Sequence, residues 1–133
     1  MEPNISKNTS PRIKVIQKLY NSLMNPDALI EYPKSQYKKF IKDVVSGTLE
    51  RSDLIEQKIN IFLSKDIDLT KTDKLLKIIL FAAIFELMFK HGTPKKVIIN
   101  EYLLASEHFL EKIQTGYLNA ILDKIAKELR KDE

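Results

Sequence analysis

The sequence predicts an all-α fold, a compact bundle of six to seven helices, and three observations predict it. Apolar residues recur at three- and four-residue steps along most of the chain, which is the spacing of a helix face. No stretch alternates apolar and polar residues as a half-buried strand would. Only 3 of the 133 residues are Gly, too few for a fold built from tight turns.

Residues 1–9 are polar and are expected to form a flexible segment ahead of a single domain over 10–131. Ser10-Pro11 reads as a helix start, a hydroxyl N-cap followed by Pro at the first helical position, where its missing N–H costs nothing. Ile13, Ile16, Leu19, Tyr20 and Leu23 then fall on one face, and Asn25-Pro26-Asp27 stops the helix. A connector runs to about Pro33. A second helix spans Lys34 to Glu50, with Tyr37, Phe40, Ile41, Val44, Val45 and Leu49 inward and Gly47 marking fraying near its end. Ser52 is placed as the cap of a third helix carrying Leu54, Ile55, Ile59, Phe62 and Leu63.

Thr70-Lys71-Thr72-Asp73 has the outline of a capping box with Asp73 in the third helical position. It launches the most apolar stretch of the chain, KIILFAAIFELMFK over 77–90, which His91-Gly92 ends with Gly92 at C′. A helix apolar on nearly all sides belongs at the centre of a bundle. Thr93-Pro94 starts a fifth helix to about Leu110. The last runs from about Thr115 to Arg130, with Lys127, Arg130 and Lys131 suited to its negative C-terminal end.

Composition narrows the chemistry. The net charge is +4 and the pI about 9.2, a basic excess that permits nucleic-acid partners. There is no Cys, hence no disulfide, thiolate nucleophile or Cys-ligated zinc. No glycine-rich phosphate loop can be written. His91 and His108 stand apart without a metal or nucleophile motif. The N-terminus has no apolar signal core, and the 77–90 stretch, interrupted by Glu86 and flanked by Lys77 and Lys90, falls short of the ~20 apolar residues a bilayer span needs. The expectation is a cytoplasmic binding module with no enzymatic activity, metal, cofactor or membrane contact.

Four polar positions interrupt apolar helices. Glu86 shares a helical stripe with Ala82, Ala83 and Lys90. It either reaches solvent and pairs with Lys90, or meets a partner's basic side chain at the edge of an apolar patch that the two small residues let the partner approach. Asn100, Glu101 and Asn119 are expected in a hydrogen-bond network tying helices together. KSQYKKFIK, over 34–42, is basic with aromatics interleaved, readable as an RNA surface or as a solvated amphipathic face.

Taken together, RIKVIQKLY (12–20), LKIILFAAIFEL (76–87), TPKKVIINEY (93–102) and YLNAILDKIAKELR (117–130) resemble the NusB family of bacterial transcription antitermination factors. The resemblance covers about Arg12 to Arg130. It implies an all-α fold of two packed helical subdomains, no catalysis, and a partner, the small-subunit ribosomal protein NusE. The pair would bind single-stranded boxA RNA in nascent ribosomal RNA and act within the RNA polymerase antitermination complex. Carried over by position, Glu86 falls at a partner-facing glutamate, with Ala82, Ala83 and Lys90 beside it. Lys7, Arg12, Lys14, Tyr20 and Tyr117 fall on the RNA side. The N-terminal basic motif is thin, NTSPRIK, so RNA binding by the chain alone is expected to be weak. Two alternatives stand beside this reading. One is an RNA-binding accessory domain like that of ribosomal RNA cytosine methyltransferases, and the other is a structural helical homodimer.

Overall fold

A computed structural model describes residues 10–133; the 1–9 segment, with Lys7, lies outside the described residues. Six α-helices follow in order: α1 (Pro11–Met24), α2 (Lys38–Glu50), α3 (Ser52–Phe62), α4 (Lys74–Phe89), α5 (Lys95–Ser106) and α6 (Lys112–Leu129), with one 3-10 turn at Leu69–Lys71. Among the described residues there is no strand. α1–α3 and α4–α6 form two helical subdomains, and α4 packs against all five other helices, so the two share one core.

The central place of α4 follows from its sequence. Leu76 and every residue from Ile79 to Leu87 are buried. Each large aliphatic side chain removed from water there stabilises the fold by roughly 1.5–3 kcal/mol. Ile16 from α1, Ile55 and Ile59 from α3, Ile98 from α5 and Leu118 and Leu122 from α6 close around it.

Several helix ends differ from the sequence expectation, each for a local reason. Pro11 does open α1 at its first position after Ser10. α2 begins at Lys38 because Ser35 folds the chain into a turn first, its Oγ accepting from Tyr37 N–H at 3.3 Å and its carbonyl from Lys38 N–H at 3.2 Å. Arg51, not Ser52, occupies the N-cap of α3. Asp73 is itself the N-cap of α4, its Oδ2 accepting from Leu75 and Leu76 N–H at 3.1 and 3.2 Å. Asp68 does the same for the 3-10 turn. α5 stops at Ser106, whose carbonyl turns back to accept from Phe109 and Leu110 N–H. α6 starts at Lys112 because Glu111 and Gln114 form a capping box, in which Glu111 N–H donates to Gln114 Oε1 at 3.1 Å. Gly47 lies inside α2, buried against Phe85 rather than at a frayed end.

The end of α4 is closed in an unexpected way. Gly92 does not adopt positive φ, so it supplies no left-handed cap. Arg130, buried at the end of α6, takes that task. Its Nε donates to the Leu87 carbonyl at 2.6 Å, and its Nη2 donates to those of Lys90 at 3.0 Å and Glu86 at 3.4 Å. Its Nη1 adds a bond to the Thr93 carbonyl at 3.1 Å and an ion pair with Glu133. The carbonyls at this helix C-terminus thus meet a cation from another helix, those of Glu86 and Lys90 also accepting from Lys90 and Thr93 N–H.

Candidate nucleic-acid interface

The polar residues that interrupt the apolar helices come together inside the bundle. Glu86 is 0% exposed. Its Oε1 accepts from Arg12 Nη2 at 2.7 Å, and its Oε2 accepts from Arg12 Nε at 3.0 Å and from the Tyr102 hydroxyl at 2.5 Å. The Arg12 guanidinium lies 4.9 Å from the Phe40 ring centroid and 5.6 Å from that of Tyr102. Glu101, half-buried, adds a weaker approach at 3.9 Å. Burial by itself would lower the Arg12 pKa, but the hydrogen bond and charge of Glu86 outweigh it and raise it. Burial first, then the Glu86 charge and hydrogen bond, hold the Tyr102 phenol far above its ordinary pKa, so it stays a neutral donor.

This arrangement corrects four expectations. Glu86, Ala82 and Ala83 do not form a surface edge; all three are fully buried, because α4 is enclosed by five helices. Lys90 does not pair with Glu86; its Nζ stands 3.8 Å from Asp43 Oδ2. Asn100 and Asn119 are exposed, and among the described residues neither side chain makes a hydrogen bond, so of the expected polar network only Glu101 joins the cluster. Arg12 is not a surface cation but the buried partner of Glu86. The sequence does not mark Tyr102 as a member of this cluster. Its position among Ile98, Ile99 and Ala105 marks a core face, but nothing local shows where its hydroxyl goes.

The other candidate RNA residues are dispersed. Tyr20 is half-buried on α1. Tyr117, on α6, is 39% exposed, and its hydroxyl donates to the Asp66 carbonyl at 2.5 Å. Lys124 holds the Asp66 carboxylate at 2.7 Å. The two bonds tie α6 to the connector after α3 and fix the Tyr117 ring at the surface. Lys14 is half-buried and faces a groove between α1 and the chain leading into α2.

A second groove, of about 380 Å3, lies between α1, α2 and the start of α4. Leu19, Leu23, Leu49, Ile78 and Phe81 make it apolar, and Lys74 and Lys77 also line it. The Thr48 hydroxyl is buried there without a hydrogen-bond partner among the described residues. Leu23 and Leu49 are each more than two-fifths exposed, so this groove is an open apolar surface of the bundle. No group of three or more metal-ligating side chains occurs among the described residues, and no helix of the described residues is long and apolar enough to cross a membrane.

Comparison with known proteins fits this architecture. The chain is similar to NusB of T. maritima, with a TM-score of 0.76, 24% identity and 89% of each chain covered, a likeness of fold. It is 35% identical over 94 residues to the transcription antitermination protein NusB of Rhodopseudomonas palustris strain HaA2, covering 71% of this chain and 56% of the relative. It is 33% identical, with 71% and 57% covered, to the protein of the same name from Bradyrhizobium diazoefficiens. These matches span little more than half the length of those relatives. A profile of the NusB family matches residues 5–127, and the chain belongs to the NusB family.

Proposed function

We propose that this chain is a cytoplasmic transcription antitermination factor that acts with the ribosomal protein NusE to bind boxA RNA of nascent ribosomal RNA transcripts. The observation that carries this reading is the NusB family match over residues 5–127. Two surfaces suit the two partners. The apolar groove of Leu19, Leu23, Ile78 and Phe81 takes NusE, in place of the buried Glu86 stripe. The exposed Tyr117 ring offers a base a stacking platform. With Arg12 committed to Glu86, the NTSPRIK segment has little charge left for phosphates, so NusE must supply part of the RNA contact.

Titration of labelled boxA RNA with the chain and with its NusE complex, at several salt concentrations, tests this. The complex should bind more tightly, with a steeper salt dependence. Leu23→Glu should weaken NusE binding by about tenfold or more without lowering the melting temperature, as expected for a charge placed in an apolar interface. Tyr117→Ala should weaken RNA binding with little change in salt slope, because stacking releases no counterions. NusE that fails to bind the chain, or RNA that binds complex and chain alike, would overturn the proposal. A mass that doubles with concentration and is abolished by Leu23→Glu would instead assign the groove to a second copy of the chain.

A further inference from the structure

The surface of α1 on the other side from the apolar groove has a different chemistry. Between α1, the connector after it and the start of α2 lies a groove of about 340 Å3, within the size range of small-ligand sites. Lys14 and Lys18 come from α1, Tyr32 from the connector, and Tyr37 and Lys38 from the entry to α2. Three lysines and no acidic side chain line it, together with side-chain amides such as that of Asn21. The ammonium of Lys18 stands 5.9 Å from the Tyr32 ring centroid, and Tyr37 is 41% exposed.

We infer that this groove is a nucleotide-binding subsite for single-stranded RNA, in which Tyr37 stacks on an unpaired base while Lys14, Lys18 and Lys38 meet the flanking phosphates. Each ingredient has a physical reason. A base offers a π-face of any sequence, and an exposed aromatic ring at a groove wall is the surface that receives it. Phosphates need cations placed around that ring, and the groove lining supplies three lysines and no acid. Amides on the wall can bond base edges whichever base is bound. The inference rests on the RNA-binding reading above and extends it to a surface to which Lys18, Tyr37 and Lys38 contribute beyond NTSPRIK. Of the basic-aromatic stretch 34–42, Phe40 and Lys39 do not line the groove: Phe40 is half-buried beside Arg12, and Lys39 pairs with Asp43 at 2.9 Å.

A labelled short oligouridylate, titrated against the full chain and against its NusE complex, tests this. Tyr37→Ala should weaken binding by about tenfold with an unchanged salt slope. Its side chain makes no capping bond at the start of α2, so folding should be intact by circular dichroism. Lys18→Gln/Lys38→Gln should make the slope shallower by about 1.4, at roughly 0.7 per phosphate contact. Photocrosslinking with 4-thiouridine should mark Tyr32 or Tyr37. Wild-type binding that both variants retain, with crosslinks elsewhere, would overturn the groove and leave the proposed function standing. RNA that binds neither the chain nor the complex would overturn both. Free uridine monophosphate competing as well as the oligonucleotide would assign the groove to a free nucleotide and overturn the RNA reading of it.

Discussion

Arg12 and Glu86 stand 74 positions apart in sequence and meet in the core as a two-pronged ion pair, at 2.7 and 3.0 Å. The pair fastens α1 to α4, and Tyr102 brings α5 to the same carboxylate. It explains why an acid interrupts the most apolar helix of the chain. The carboxylate is the point where side chains of three helices, α1, α4 and α5, meet.

Removing one partner should therefore act on folding. Arg12→Met leaves a buried carboxylate without its cation, and Glu86→Leu leaves a buried guanidinium without its anion. Each should cost roughly 3–5 kcal/mol in denaturant unfolding. The double variant Arg12→Met/Glu86→Leu should cost clearly less than the sum, because an apolar pair replaces the ionic one. Single variants that unfold like the wild type would show that the pair contributes nothing.

The fold was legible because its signals are local. Helical periodicity, the Ser10-Pro11 start and the Asn25-Pro26 stop depend on neighbours within a few positions. The site was legible only in part, because its determinants are distant. Nothing near Glu86 in sequence announces Arg12, so the nearby Lys90 looked like the partner; the structure gives Lys90 to Asp43. By position Arg130 suits its own helix end, whereas in the fold it closes the end of α4, some 40 residues earlier. Asn100 and Asn119 sit in apolar runs yet face outward, since a helix turns 100° per residue and a short run does not fix which side is buried. The Glu111–Gln114 capping box is hard to read from sequence because Glu is an uncommon N-cap.

Tyr102 gives the stability a definite pH dependence. Its folded pKa lies well above the ordinary value of about 10, through burial first and then the charge and hydrogen bond of Glu86. A raised folded pKa means that the stabilisation is fully present below pH of about 10 and is lost as pH rises towards the folded value. In that window the unfolded state binds fewer protons, so stability falls by up to about 1.4 kcal/mol per pH unit. Tyr102→Phe should be less stable at neutral pH by roughly 1.5–3 kcal/mol, having lost a hydrogen bond to a charged group. The gap between the two proteins should narrow above pH of about 10. Tyr32 and Tyr117 are present in both, so their own raised values cancel in the difference. Parallel stability curves across the alkaline range would contradict the burial of a neutral phenol at this carboxylate.

Gly47 and Gly116 both lie inside helices, α2 and α6, yet should respond oppositely to the same substitution. In an exposed helix interior Gly→Ala stabilises by roughly 0.5–1 kcal/mol, because alanine loses less backbone freedom on folding. A Cβ on Gly116 meets nothing within 4 Å, so Gly116→Ala should raise the melting temperature. A Cβ on Gly47 would overlap the Phe85 ring. That ring is buried among the core residues between α2 and α4, so moving it aside disturbs that packing. Gly47→Ala should then destabilise by about 1–3 kcal/mol, the usual cost of overpacking, despite the helix propensity it gains. Shortening the obstacle should relieve it: the penalty of Gly47→Ala should be smaller in a Phe85→Leu background than in the wild type. Thermal melts of the four proteins, with Gly116→Ala as the open-space control, measure the coupling. A Gly47→Ala variant as stable as Gly116→Ala would mean that α2 and α4 do not approach as closely as the glycine allows.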